Sequence, residues 1–138
     1  MFVLDSHCDT PSQILRLRDL SLDNEYAHVD FPKLKRGEVD AAFLALYIPA
    51  ALDAKPDEAY EYAMKLLDGV YHTLASNPSL AALAVTEAEA EHNKSNGLFS
   101  VFIGLENASP IDCLEKVKLF YDKGVRYITL CHSANNAI

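Results

Sequence analysis

Tryptophan is absent from the 138 residues, and the chain carries only three cysteines and five glycines. Cys8, Cys113 and Cys131 are too sparse, and odd in number, for a disulfide-dense scaffold. Reduced thiols in a cytoplasmic setting are the simpler expectation. The glycines are scattered and form no phosphate-cradling loop. Cationic side chains are scarce as well, 12 Lys and Arg against 20 Asp and Glu, for a net charge of −8. An acidic surface repels phosphate backbones, so nucleic acid is not an expected partner. Crossing a bilayer takes about 20 apolar residues. The longest apolar run, Val39 to Ala51, is shorter and is broken by charge. No basic stretch precedes the apolar start at Phe2 to Leu4, so no signal peptide is visible.

What is present is the composition of a globular chain, 50% hydrophobic and 23% charged, at the usual length of one domain. Phe2 to Leu4 reads as a buried strand that runs into a polar loop from Asp5 to Asp9, and a short helix follows Pro11. Asp30 has the character of an N-cap with Pro32 close behind, and Gly37 ends that helix. Val39 to Ile48 lacks alternation and suits a strand buried on both faces. From Pro56 to Ser76 the apolar positions Ala59, Tyr62, Ala63, Leu66, Leu67, Val70, Tyr71 and Leu74 follow helical spacing. Thr86 with Glu89 has the form of a capping box for a polar helix through about Asn93. Asn96 and Gly97 turn the chain into a strand at Leu98 to Leu105. Ser109, Pro110 and Gly124 then frame a helix with Leu114, Val117, Phe120 and Tyr121 inward, and Val125 to Cys131 is the last strand. Strand and helix alternate four times, which predicts an α/β fold with a parallel sheet and no internal linker or repeat.

Four candidate chemical residues fall at the ends of three strands. On an extended backbone His7 and Asp9 face the same side, and an imidazole beside a carboxylate suits a divalent metal such as zinc. A loop histidine bonded to its neighbouring carboxylate would give the same triplet. Glu106 follows the apolar run Val101 to Leu105, where a parallel barrel carries its site residues and where a carboxylate can bridge two metals. A solvated loop glutamate is the other reading. His132, at the end of the last strand, suits a hydrogen-bond donor to substrate, with a capping histidine as the lesser reading. A Cys8 nucleophile with His132 as base is disfavoured, because the pleat turns Cys8 away from His7. His28, His72 and His92 read as surface residues, Glu87, Glu89 and Glu91 as a solvated helix face, and Cys113 and Cys131 as core.

These blocks resemble the membrane (renal) dipeptidase family of zinc peptidases. The run from Asp5 through His7 and Asp9 to Pro11 is similar to its opening motif, and Asp30 to Gly37 to its second block. An apolar strand into Tyr47, Ile48 and Pro49 comes next, as in the family. Gly104, Leu105, Glu106 matches its glutamate motif, and Arg126 to His132 with Asn135 and Asn136 its histidine motif. Asn107 and Ala108 depart from the pattern, standing where the family usually has two glycines.

The resemblance implies a (β/α)8 barrel with two zinc ions, of which residues 1–138 would be the N-terminal half, about four βα units. It implies that His7 and Asp9 ligate one zinc, that Glu106 bridges both, and that His132 contacts the substrate carbonyl and steadies the oxyanion. A metal-bridged hydroxide would attack the peptide bond of a dipeptide. The second zinc's histidines and the proton-transferring aspartate would lie outside these residues, so the chain by itself is expected to show little activity. The remainder of the barrel, or a second copy, is the expected partner. Two rivals stay open: a related amide, lactam or ester hydrolase with similar ligands, and a non-catalytic half-barrel.

Overall fold

The computed structural model describes residues 1–136 and 138. Five parallel strands form one sheet: β1 (Leu4–Cys8), β2 (Ala41–Tyr47), β3 (Ala81–Leu83), β4 (Phe99–Glu106) and β5 (Val125–Ile128). β4 is the hub. It pairs β2 from Ala41↔Ser100 to Tyr47↔Glu106, β3 along its first residues and β5 along its last. β1 pairs the other side of β2 and is an outer edge. Helices α1 (Pro11–Ile14), α2 (Phe31–Arg36), α3 (Pro56–Ser76), α4 (Glu87–Ser95) and α5 (Leu114–Asp122) lie between strands, as the alternating pattern predicts. None of the described helices is long and apolar enough to cross a membrane.

Strand alternation separates the two faces of the sheet. Ala42, Leu44 and Leu46 of β2 and Val101, Ile103 and Leu105 of β4 join the main core with Ala59, Ala63, Leu66, Leu67, Val70 and Leu74 of α3. The buried α3 residues all lie on the stripe that the spacing predicts, and α3 has its predicted bounds. Each fully buried Leu or Val contributes about 1.5–3 kcal/mol. The opposite face carries Phe43, Phe102, Gly104 and Tyr127, and it leads along the strands toward Glu106 and His7.

Two caps confirm the local reading. The Thr86 hydroxyl accepts from Glu89 N, and the Glu89 carboxylate accepts from Thr86 N, a complete capping box on α4. Thr86→Ala is expected to lower stability by about 1 kcal/mol, read as a reduced melting temperature. The fully buried Asp30 caps α2 through Lys33 N and also accepts from Asn24 N and Lys33 Nζ. Burial pushes the Asp30 carboxyl up, but these donors outweigh it and hold it below the usual carboxylate range. A depressed folded-state pKa contributes stability above the unfolded value, about 3.9, and loses it as pH falls through the folded value. Urea titrations from pH 5 downward should therefore show an acid-sensitive term that Asp30→Asn removes.

Four expectations are corrected. β1 begins at Leu4 and runs through Cys8, so His7 lies on the strand rather than in a loop, and the strand is exposed because it is an edge. The short β3 has no sequence signal beyond three apolar residues, too few to show a period. α5 starts after an extended Cys113, not at Ser109, because Ser109 is fully buried in a polar cluster instead. Of its apolar residues only Phe120 turns fully inward: Leu114 is 84% exposed, Tyr121 60%, and Cys113 is also exposed. The last strand ends at Ile128, so Cys131 is exposed and His132 sits in the following loop.

Candidate metal centre

Four strand ends converge on Glu106. It is the last residue of β4, and its side chain is only 13% exposed. His7 Nε2 lies 3.1 Å from Glu106 Oε2 and 3.2 Å from Asp9 Oδ1. Two donors on one tetrahedral zinc, with bonds near 2.1 Å, sit about 3.4 Å apart. His7, Asp9 and Glu106 thus offer ligand atoms at single-ion spacing, all within 4.8 Å of one another. One imidazole and two carboxylates form a donor set suited to zinc or a similar divalent ion. Glu106 Oε2 is buried and accepts no hydrogen bond, since His7 Nε2 is near but poorly aligned. A buried, unpartnered carboxylate oxygen aimed between two other donors is what a cation site requires.

The other Glu106 oxygen, Oε1, lies 3.6 Å from His132 Nε2. The His132 ring is held edge-on by Tyr47, with centroids 5.1 Å apart, and its Nδ1 lies 3.2 Å from Ser133 Oγ. All four residues singled out from the sequence, His7, Asp9, Glu106 and His132, are therefore brought together. Cys8 turns away: its Sγ lies 2.9 Å from Thr10 Oγ1, and the side chain packs on the main core. His28, His72 and His92 are exposed.

Three further residues, to which the sequence assigned no site role, shape the centre; Asn107 stands out there only as a departure from the family pattern. Tyr127 places its hydroxyl 2.8 Å from His7 Nδ1. Partial burial, then the nearby carboxylates of Glu106, Asp9 and Asp5, push its hydroxyl up to about 12, so it stays neutral at ordinary pH. Tyr47 was visible only as a strand terminus. Asn107, next to Glu106, has φ +73° and is almost fully buried. Its amide Nδ2 donates to Ile48 O and Asp53 Oδ1, and its Oδ1 accepts from Ser109 and Asn136. A left-handed backbone explains why glycine would suit this position, and asparagine is among the few side chains that tolerate it.

A parallel α/β sheet with imidazoles and carboxylates gathered at its C-terminal strand ends has the layout of a barrel-type site with donors suited to a metal ion. More particularly, the chain belongs to the membrane dipeptidase family (peptidase family M19), whose sequence model matches residues 1–138. Dipeptidase aclJ of Aspergillus oryzae is 29% identical over 132 residues, covering 91% of this chain and 31% of that protein. Dipeptidase verJ of Clonostachys rogersoniana is 31% identical, covering 97% of this chain and 38% of its own length. In fold, the chain matches the crystal structure of the metallopeptidase dipeptidase AC with a TM-score of 0.86 at 22% identity, covering 96% of this chain and 43% of that one. A Rhodobacter sphaeroides metallopeptidase, liganded with a phosphinate mimic of L-Ala-D-Ala, matches at 0.84 and 22%, covering 96% of this chain and 46% of that one. The chain therefore spans about a third of these curated relatives and less than half of these solved structures.

Proposed function

We propose that the chain supplies one part of a zinc-dependent dipeptidase site. Glu106 carries this reading, with one oxygen beside His7, the other facing His132, and Oε2 buried without a hydrogen bond. His7 and Asp9 would hold one zinc, and Glu106 would reach a second through its other oxygen. Bound zinc supplies Lewis-acid polarisation and a nucleophile at neutral pH. With its proton on Nε2, the His132 ring can accept at Nδ1 from the Ser133 hydroxyl. His132 Nε2–H then donates to the substrate carbonyl oxygen as negative charge builds there.

A dipeptide is the substrate this reading assigns, in keeping with the names of the relatives and with the dipeptide mimic on the Rhodobacter protein. The open edges of β1 and β5, and the exposed side of α5, would be covered by the remainder of the barrel or by a second copy. Elemental analysis of the purified chain, with His7→Ala and Asp9→Ala controls, tests the site. Zinc should bind the parent and be lost from both variants; equal zinc in all three would end the metal reading. Dipeptides of varied stereochemistry, assayed against lactones and cyclic amides once the remaining barrel strands are supplied, test the substrate class. Little turnover is expected from the 138 residues alone.

A further inference from the structure

Tyr127 reaches His7 by an arrangement that involves three separate features of the sheet. Gly104 and Tyr127 are partners on β4 and β5, and the tyrosine ring lies directly over the glycine. A Cβ at position 104 would stand 2.1 Å from Tyr127 Cζ, so only glycine admits the ring there. The register of β5 against β4 slips between Ile103 and Gly104, and that of β1 against β2 slips between Asp5 and Cys8. Such bulges re-aim side chains, and here they flank Tyr127 and His7. The two rings stack at 19° with centroids 6.1 Å apart, and Phe43 backs Tyr127 at 5.1 Å.

We propose that Tyr127 is the positioning residue for His7: its hydroxyl, carried over the bare Cα of Gly104, holds the Nδ1 edge of the ring and so presents Nε2 to the cation between Asp9 and Glu106. This rests on the metal reading above. A ligating histidine is ordinarily steadied through its second nitrogen, usually by an acceptor such as a carboxylate or a backbone carbonyl. A hydroxyl differs in being able both to donate and to accept. It can donate to Nδ1 while the proton sits on Nε2 beside the two carboxylates, and accept from Nδ1–H once Nε2 is given to the cation. The contact therefore survives loading and release of the metal with the ring in either tautomer, whereas a carboxylate partner needs the proton on Nδ1 throughout.

Tyr127→Phe removes the hydroxyl and keeps the ring on Gly104 and Phe43, so the melting temperature of the metal-free chain should hold. Two readouts are taken together: zinc affinity by chelator competition, and the His7 ring nitrogens by long-range proton–nitrogen NMR in metal-free and zinc-loaded chain. Zinc affinity should fall ten- to a hundredfold, the range for loss of such a partner, and the His7 Nδ1 resonance should shift while those of His28, His72 and His92 stay. Movement of only one readout, or of neither, overturns the proposal and leaves the metal reading intact. Undiminished zinc in His7→Ala ends the metal reading and takes this one with it, so the two failures are told apart.

Discussion

Glu106→Gln is expected to stabilise the metal-free chain while abolishing its zinc uptake. The carboxylate is nearly buried, and its Oε2 has no hydrogen bond. Burying an unsatisfied polar atom costs about 1–3 kcal/mol, more when it is charged. Its contacts with His7 and His132 offset little of that, because both rings are 40% exposed and such pairs are worth at most about 1 kcal/mol. Glutamine has nearly the same shape and carries no charge, so a gain of about 1 kcal/mol should appear in calorimetry. Metal binding moves the other way. Loss of the charged ligand should weaken zinc by more than the 10–100-fold typical of changes one shell further out. Retained zinc with unchanged stability would mean that Glu106 is an ordinary strand-end residue. Opposed effects from one substitution mark a residue kept for function at a cost to the fold.

The parts of this molecule legible in its sequence were those set by local chemistry. α3 announced itself through a long apolar stripe, and the α2 and α4 starts through capping residues whose partners lie within three positions. His7, Asp9, Glu106 and His132 were legible because strand direction alone places them at one end of a parallel sheet. What escaped was set by pairing between distant segments. Gly104 is a mild interruption in an apolar strand until β5 is laid beside it, and only then does Tyr127 become its occupant and the neighbour of His7. α5 misled for a related reason. Its apolar residues imply a buried face, yet the described chain covers only Phe120, since burial depends on what packs against a helix and not on its own pattern.

Asn107→Ala should be among the most damaging single changes at the strand ends, costing about 4 kcal/mol, and comparison with Asn107→Gly shows why. Two effects combine at this position. The backbone at φ +73° is left-handed, which costs an ordinary side chain about 1–2 kcal/mol and glycine almost nothing. The buried amide also joins the exits of three strands: it bonds Ile48 O and Asp53 after β2, Ser109 after β4, and Asn136, which itself donates to Leu130 O after β5. Removing it leaves Asp53 Oδ1 with one fewer donor and strands the Ile48 carbonyl, at about 1–3 kcal/mol for groups left unpaired. Glycine loses the bonds but keeps the turn, so Asn107→Gly should cost about 2 kcal/mol and alanine the further strain. Urea unfolding of the three proteins separates the effects. Equal losses for glycine and alanine would assign the whole effect to the amide. A harmless glycine would make the backbone alone the reason that residue 107 is restricted. The expected ordering, with glycine between asparagine and alanine, makes Asn107 a substitute for glycine that keeps the turn beside Glu106 and adds a tie between the loops that hold Glu106 and His132.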